Sequence, residues 1–187
     1  MKIKPIRIGR FLLTKMTASD GEKYHQLSDD EEVMKYVTGY ALNREESDKM
    51  LSVMLAEHGD DTYLGRYFIE EVVTGELIGA AKLDQVGSEI EIGYRIQKAH
   101  WHKGIATEIA EGLIRFSRGT LNAKTVIAFV NIDNAPSIRV LEKAGMKNVQ
   151  TIEDIDEVKY KFIHSTQPQS AIGKAFHGFF RWFNSKN

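Results

Sequence analysis

The stretch I-E-I-G-Y-R-I-Q-K-A-H-W-H-K-G-I-A-T-E-I-A-E, residues Ile90 to Glu111, decides the fold. In its first part apolar residues alternate with polar or small ones, which predicts a strand. Its last part begins an apolar repeat at Ile105, Ile109 and Leu113, which is typical of a helix. Gly104 stands at the start of this helix and would let backbone amides come close to an anion. A strand that leads through such a loop into a helix is the outline of a phosphate-binding site.

A second strand and helix follow from Thr125. The run T-V-I-A-F-V, Thr125 to Val130, is almost entirely apolar, as expected for a strand covered on both faces. Asn134 is a suitable cap for the next helix, Pro136 fits its first turn, and Gly145 can close it. A helical crossover therefore separates two neighbouring strands.

The remaining elements can be placed around these two units. Residues 6–14 predict one opening strand, residues 67–73 and 77–83 a hairpin around Thr74-Gly75, and residues 158–163 a last strand. Helical patterns occupy the region between the first strand and the hairpin, where Asn43 and Glu46 have the spacing of a capping box. This order predicts a mixed sheet with helices on both faces.

Composition limits the class of protein. A length of 187 residues with 42% hydrophobic and 27% charged residues predicts one globular domain. The formal net charge of −1 argues against a nucleic-acid partner, and the lack of cysteine excludes thiol chemistry and thiolate metal sites. The first residues have no apolar signal core, so we expect a cytoplasmic location. His100 and His102 share one face but have no convergent third ligand, so we expect no metal.

The two strand-to-helix units together resemble those of the GNAT superfamily, the acetyl-CoA-dependent N-acetyltransferases. The resemblance is strongest to the branch similar to the ribosomal-protein N-terminal acetyltransferases. The loop motif of the family is matched by Trp101, Gly104 and Ala106, with Trp in place of the usual Gln or Arg. His102 is a further departure, because many relatives have glycine there. The resemblance covers roughly residues 6 to 164 and implies a mixed, mostly antiparallel, twisted sheet flanked by helices on both faces.

The resemblance also implies catalytic residues. Glu91 matches the glutamate that often serves as general base, and Gly93 next to it predicts a bulge in the strand. Glu89 on the same face is a weaker candidate. The tyrosine that many members use as the acid is replaced by Leu141, whereas Ser137 matches a serine implicated in the ribosomal-protein branch.

For acetyl-CoA as co-substrate, the resemblance implies two groups of contacts. Backbone groups of Tyr94 and Ile96 would pair with the pantetheine arm, and Asn134 would both cap its helix and bind that arm. The pyrophosphate would be held by the amides of the loop and first helical turn, that is, by His102, Lys103, Gly104, Ile105, Ala106 and Thr107. The helices after the first strand would lie over the acceptor, with Tyr36, Tyr40 and Met54 as candidate contacts.

Residues 166–187 are not explained by the family. Residues 171–186 place an aromatic and apolar face on one side of a helical wheel, with Lys174, His177 and Arg181 on the other. Such a helix can dock on its own domain, form a homodimer or lie on a membrane surface, and the few basic residues favour docking. We therefore expect a single catalytic domain over residues 1–165 and an amphipathic tail over residues 166–187.

The functional expectation is transfer of an acetyl group from acetyl-CoA to a primary amine by direct attack in a ternary complex. A rival interpretation is a catalytically weak acyl-CoA-binding or interaction module, because the usual tyrosine is absent and the loop is narrowed. The acceptor stays open between a protein N-terminus and a small amine such as a polyamine or aminoglycoside.

Overall fold

The computed structural model describes residues 3–59, 61–154 and 157–165. The predicted amphipathic tail lies outside these residues. Eight strands and five α-helices are described in this part of the chain. In chain order these are β1 (Ile6–Ile8), β2 (Phe11–Lys15), α1 (Gly21–Ser28), α2 (Glu31–Met34), α3 (Arg44–Ala56), β3 (Gly65–Glu71), β4 (Leu77–Val86), β5 (Glu89–Ile96), α4 (Ile105–Gly119), β6 (Thr125–Asn131), α5 (Ala135–Lys143), β7 (Lys147–Glu153) and β8 (Val158–Ser165).

The strands form one sheet in the order β1-β2-β3-β4-β5-β6-β8-β7. Every neighbouring pair is antiparallel except β5 and β6, which are parallel and are connected through α4. The predicted mixed, mostly antiparallel sheet is therefore confirmed. The parallel pair, β5 and β6, lies where the continuous apolar strand at Thr125 predicts a helical crossover.

Two cores cover the two faces of the sheet. One is formed by α4 and α5 with side chains such as Ile92, Ile109, Val126 and Leu141. The other is formed by α1 and α3 with side chains such as Tyr24, Met54 and Ala80. Helices thus lie on both faces, as the order of elements predicts. The face under α1 to α3, called here the α1–α3 face, carries the polar groups discussed below.

The structure differs from the predicted elements in two places. The opening segment is a hairpin rather than one strand, because Gly9 has a φ of 53° and turns the chain so that Ile8 pairs with Phe11. Strand β7 was not predicted at all. Its residues are almost all exposed, so the strand has no buried alternating face that a pattern could indicate.

The helix start signals are confirmed at two places. Asn43 accepts a hydrogen bond from the amide of Glu46, and the Glu46 carboxylate accepts one from the amide of Asn43, which completes the capping box of α3. Asn134 caps α5 with Pro136 in the first turn. Over the described residues, no helix combines the length and apolarity needed to cross a bilayer.

Candidate active site

Strands β5 and β6 are joined by a very short ladder. Ile90 pairs with Val126 and Glu91 with Ile127, and the pairing ends there. The amide of Gln97 donates to the carbonyl of Ile78 on the other side of β5. Because amides in an antiparallel strand alternate in direction, those of Tyr94 and Ile96 point towards the β6 side. The sheet therefore has an opening directly after Glu91 whose β5 edge presents unused ladder groups.

One of these ladder groups is partly occupied. The indole nitrogen of Trp101 donates to the carbonyl oxygen of Ile96 at 2.7 Å. A carbonyl oxygen has a second lone pair, so this contact leaves room for one more donor. The tryptophan that departs from the family motif thus holds the loop onto the end of β5.

The loop before α4 has the geometry of an anion site. His102 and Gly104 both have a left-handed backbone, with φ of 62° and 76°. A glycine at position 102 would adopt this φ without strain, which explains why relatives can have glycine there. No side chain caps α4, and the amides of Thr107 and Glu108 both donate to the Gly104 carbonyl at 3.1 Å. The amides before them have no acceptor within the helix and remain available to an anion.

Glu91 belongs to a buried charge network on the α1–α3 face. Its carboxylate pairs with the ammonium of Lys82, which also lies 3.1 Å from Asp84. Arg66 bridges Asp84 and, at 2.7 Å, Glu57. Glu91 is 6% exposed and Lys82 is 4% exposed. Sequence analysis found Glu91 but missed its partners, because only the pairing of β3, β4 and β5 brings these charges together.

The network pushes the pKa values of its two inner carboxylates apart. Burial raises the pKa of Glu91, and the contact with Lys82 offsets this only in part. Burial would also raise the pKa of Asp84, but Lys82 and Arg66 outweigh it, so the pKa of Asp84 is lowered. Glu91 is therefore the stronger base of the two, while Asp84 stays ionised and holds the cations.

Gly93 does not mark a bulge, which corrects the prediction. The β4–β5 pairing runs without a register shift from Gly79–Ile96 to Val86–Glu89. Gly93 stands opposite Lys82, and a Cβ atom on it would come within 2.9 Å of Cγ and Cε of that side chain. The glycine is needed here because the Lys82 stem crosses over it on the way to Glu91.

Ser137, Tyr94 and Asn134 meet on the other side of the opening. The Ser137 hydroxyl donates to the phenol oxygen of Tyr94 at 3.3 Å, and the Ser137 amide donates to the Asn134 side-chain oxygen at 3.2 Å. Burial raises the pKa of the Tyr94 phenol, so it stays protonated at neutral pH. Leu141 is buried in the core and takes no part in this site. The sequence pattern indicates Tyr94 for its backbone groups and does not indicate the contact between its hydroxyl and Ser137.

A cleft lies beside this opening on the α1–α3 face. It is narrow, with a volume of about 30 Å³, and Tyr24, Met54, Lys82, Gly93 and Arg95 are among the residues that line it. Of the predicted acceptor contacts, only Met54 lines the cleft.

The other two predicted acceptor contacts lie outside the cleft lining. The hydroxyl of Tyr36 donates to the carbonyl of Asp133 at 2.9 Å, and Tyr40 is 53% exposed.

The histidines near the site have other surroundings. His100 is buried and lies 3.3 Å from Glu76, whereas His102 is exposed.

Glu57, His58 and Asp84 bring ligand atoms within 4.8 Å of one another, but the guanidinium of Arg66 already contacts both carboxylates. A cation of the protein itself therefore occupies the place that a metal would need.

Comparisons with known proteins agree with this geometry. Residues 10–147 match the family model described as an acetyltransferase (GNAT) domain. The chain is 28% identical over 157 residues to the uncharacterised N-acetyltransferase p20 of Bacillus licheniformis, covering 82% of this chain and 88% of p20.

Two solved structures share the fold. One, assigned provisionally as a ribosomal-protein-serine acetyltransferase of Vibrio cholerae, has a TM-score of 0.74 and 16% identity, with 88% of this chain and 99% of that chain covered. The other is spermidine N-acetyltransferase of Vibrio cholerae in complex with CoA and spermine. It has a TM-score of 0.67 and 19% identity, with 83% and 95% covered.

The family model spans well over half of the chain, including β5, the α4 loop and α5. The opening after Glu91, the uncapped start of α4 and the Ser137–Tyr94 pair all lie inside the matched residues. The chain belongs to the GNAT family and is an acetyltransferase that uses acetyl-CoA.

Proposed function

We propose that the protein transfers the acetyl group of acetyl-CoA directly to a primary amine bound in the cleft of the α1–α3 face. The observation that carries the proposal is the opening between β5 and β6. Glu91 lies where the pairing of the two strands ends, and the Ser137–Tyr94 pair lies beside the opening. The proposal goes beyond family membership because it assigns the base, the acid and the side from which the amine enters.

Acetyl-CoA would bind along the opening. The amide of Tyr94 and the groups of Ile96 supply ladder partners for the amides of the pantetheine arm. The amides from His102 to Ala106 would bind the diphosphate at the start of α4, where the helix dipole favours negative charge, whereas the amide of Thr107, also predicted for this role, donates to the Gly104 carbonyl. Asn134 still has its side-chain amide nitrogen to donate to the arm, because the cap uses only its oxygen.

The amine must be neutral when it attacks the thioester carbonyl. An alkylammonium has a pKa of about 10, so loss of its proton needs a base. Glu91 is buried and is not among the residues that line the cleft, so it would take this proton through a water, and burial makes its carboxylate more basic than an exposed one. Lys82 already contacts Glu91, so the ammonium must move towards Asp84, 3.1 Å away, when the base accepts the proton.

Collapse of the tetrahedral intermediate forms the amide and breaks the carbon–sulfur bond. The departing thiolate then needs a proton. Ser137 would donate it by turning its hydroxyl from Tyr94 to the sulfur. The phenol of Tyr94, whose proton now points to the Ser137 carbonyl, would then turn to the Ser137 oxygen, replace the proton and regain its own from solvent. This pair would take the place of the tyrosine that Leu141 replaces.

Release of free thiol from acetyl-CoA in the presence of amines tests the assignment. We expect Glu91→Gln to lower kcat/KM by about 10²-fold or more, the usual contribution of a general base. Ser137→Ala should lower kcat/KM by at least about tenfold. Tyr94→Phe should also lower kcat/KM, because the phenol is proposed to replace the proton that Ser137 donates.

Matched controls separate chemistry from folding. Glu89→Gln changes a carboxylate of the same strand and face that pairs with Lys161 at 2.6 Å, outside the Lys82 network. Ser52→Ala changes an exposed serine of α3. Both should keep parental kcat/KM. Tight CoA binding without thiol release from any amine would instead favour the interpretation as an acyl-CoA-binding module.

A further inference from the structure

The cleft on the α1–α3 face is lined by basic residues. Arg66, Lys82 and Arg95 contribute to its wall, and no carboxylate is among the described residues that line it. Arg66 and Lys82 are buried, and the surface that the lining exposes to the cleft is almost entirely apolar, so any attraction for an anion has to come from a cation that is not already paired.

Two of the three cations are neutralised inside the protein. Arg66 pairs with Glu57 and Asp84, and Lys82 pairs with Asp84 and Glu91. Their charges are therefore committed to the network that holds the base.

Arg95 differs from the other two. Its guanidinium contacts the sulfur of Met34 and donates to the hydroxyl of Ser28 at 3.3 Å, and it lies 5.1 Å from the centre of the Tyr24 ring. None of these groups carries a charge. Within the described residues no carboxylate forms an ion pair with it, although it is only partly exposed. A guanidinium with only neutral neighbours can take an anion of a bound molecule as a further partner.

The position of Arg95 indicates which bound molecule would supply that anion. Glu91, Gly93 and Arg95 alternate along β5 and share the α1–α3 face. The loop proposed to hold the CoA diphosphate instead starts α4, which packs on the opposite face. The Arg95 guanidinium, which has no carboxylate partner among the described residues, therefore lies on the side of the acceptor and not on that of the diphosphate.

We propose that Arg95 binds a carboxylate of the acceptor, so that the preferred substrates are amines that carry a carboxylate and not polycations. This inference rests on the proposed function, with the amine near Glu91. Glu91 and Arg95 are four residues apart, about 13 Å along the strand, and the long arginine side chain shortens the span that the acceptor must cover. A guanidinium fork fits a carboxylate with two parallel hydrogen bonds.

The test compares a matched pair of acceptors with and without a carboxylate, 4-aminobutyrate and n-butylamine, and adds a polycation, spermine. With the full-length enzyme, 4-aminobutyrate, n-butylamine and spermine are assayed for thiol release, and their binding to the CoA-bound enzyme is measured by calorimetry. Glycine and β-alanine report the preferred spacing. A peptide amide that begins with Asp, beside one that begins with Asn, distinguishes a side-chain carboxylate from that of a free amino acid.

We expect the parent to bind 4-aminobutyrate at least about tenfold more tightly than n-butylamine, or the Asp peptide at least about tenfold more tightly than the Asn peptide, because each counterpart lacks the carboxylate. Arg95→Met should abolish this preference by weakening only the carboxylate acceptors, about 10- to 100-fold, with KM for acetyl-CoA unchanged. Arg95→Lys keeps the charge and the stem, and should retain part of the preference. Lys98→Met removes an exposed lysine that pairs with Glu32 and should leave the preference intact.

A parent enzyme that binds spermine or n-butylamine as well as 4-aminobutyrate and the Asp peptide would overturn the inference. An equal loss of affinity for acceptors with and without a carboxylate in both Arg95 variants would also overturn it, because loss of a purely structural arginine would weaken both kinds of acceptor alike. Calorimetry answers the question even if no acceptor is turned over, so a failed base or acid assignment is distinguishable from a failed acceptor assignment.

Discussion

At the scale of single residues, the site depends on partners that lie on different strands. Glu91 matches the glutamate that often serves as base in the family, yet its pKa depends on contacts with Lys82 and Asp84 of β4. Gly93 makes this contact possible, since any larger residue would displace the Lys82 stem. The sequence allowed Glu91 to be chosen but could not show these partners, because the register of β4 against β5 is a tertiary property.

Asp84 provides a residue-scale prediction. Its folded pKa lies below the value of about 4 in an unfolded chain, so folding favours its ionised form. That contribution is complete above pH ~4 and is lost as pH falls through the lower, folded pKa. Asp84→Asn leaves Lys82 and Arg66 with one anion fewer, and should lower the free energy of unfolding at pH 7 by about 3 kcal/mol.

Urea unfolding at a series of pH values measures this effect. The gap between parent and Asp84→Asn should be largest near neutral pH and should narrow in acid. Asp61→Asn, at an exposed loop residue, is the control and should follow the parent throughout. A gap that stayed constant with pH would show that ionisation of Asp84 is not what stabilises the network.

At the scale of elements, α4 is fitted against the first hairpin. Gly112 lies in the middle of the helix, and a Cβ atom there would come within 2.2 Å of Cγ2 of Ile8, a buried β-branched residue of β1. Ile8 cannot move this methyl group easily because its χ1 is restricted. The glycine therefore sets the distance between α4 and β1.

Gly112→Ala should destabilise the protein even though alanine is the better helix former. Overpacking costs about 1–3 kcal/mol, which exceeds the gain of up to about 1 kcal/mol from helix propensity. Gly119→Ala, at the end of the same helix, meets nothing within 4 Å and should be neutral or stabilising. Thermal or urea unfolding measures both variants, and equal stability of the two would contradict the described packing.

The elements differ in how well sequence could predict them. Strands β3, β4, β5, β6 and β8 and the helices α3, α4 and α5 have buried faces or caps, so their patterns were informative. Strand β7 is an exposed edge strand that is held by pairing with β8, and backbone pairing leaves no pattern in the side chains. The break between β1 and β2 depends on the positive φ of Gly9, which a glycine permits but does not require.

At the scale of the whole molecule, CoA should stabilise the fold because the opening and the α4 loop exist only in the folded chain. At a CoA concentration 100 times Kd, the gain is about 2.7 kcal/mol. For a chain of this size, that corresponds to a rise in Tm of about 5–10 °C. Differential scanning fluorimetry across a CoA titration measures the shift.

Pantetheine is the matched ligand for this experiment. It retains the arm that would pair with β5 but lacks the diphosphate that would bind at α4, so its shift should be smaller at equal concentration. Equal shifts would show that the α4 amides do not contribute to binding. The absence of any shift with millimolar CoA would contradict the assigned site.

The short β5–β6 ladder also determines how the molecule holds together as a cooperative unit. The sheet consists of a block of five strands and a block of three, joined by only two residue pairs. Helix α4 packs against β1 and β5 in the first block and against β6 in the second, and it also contacts α5. The two blocks therefore depend on α4 to fold and unfold as one cooperative unit. The helix whose first amides would bind the co-substrate thus also connects the two blocks where the opening leaves few backbone hydrogen bonds between them.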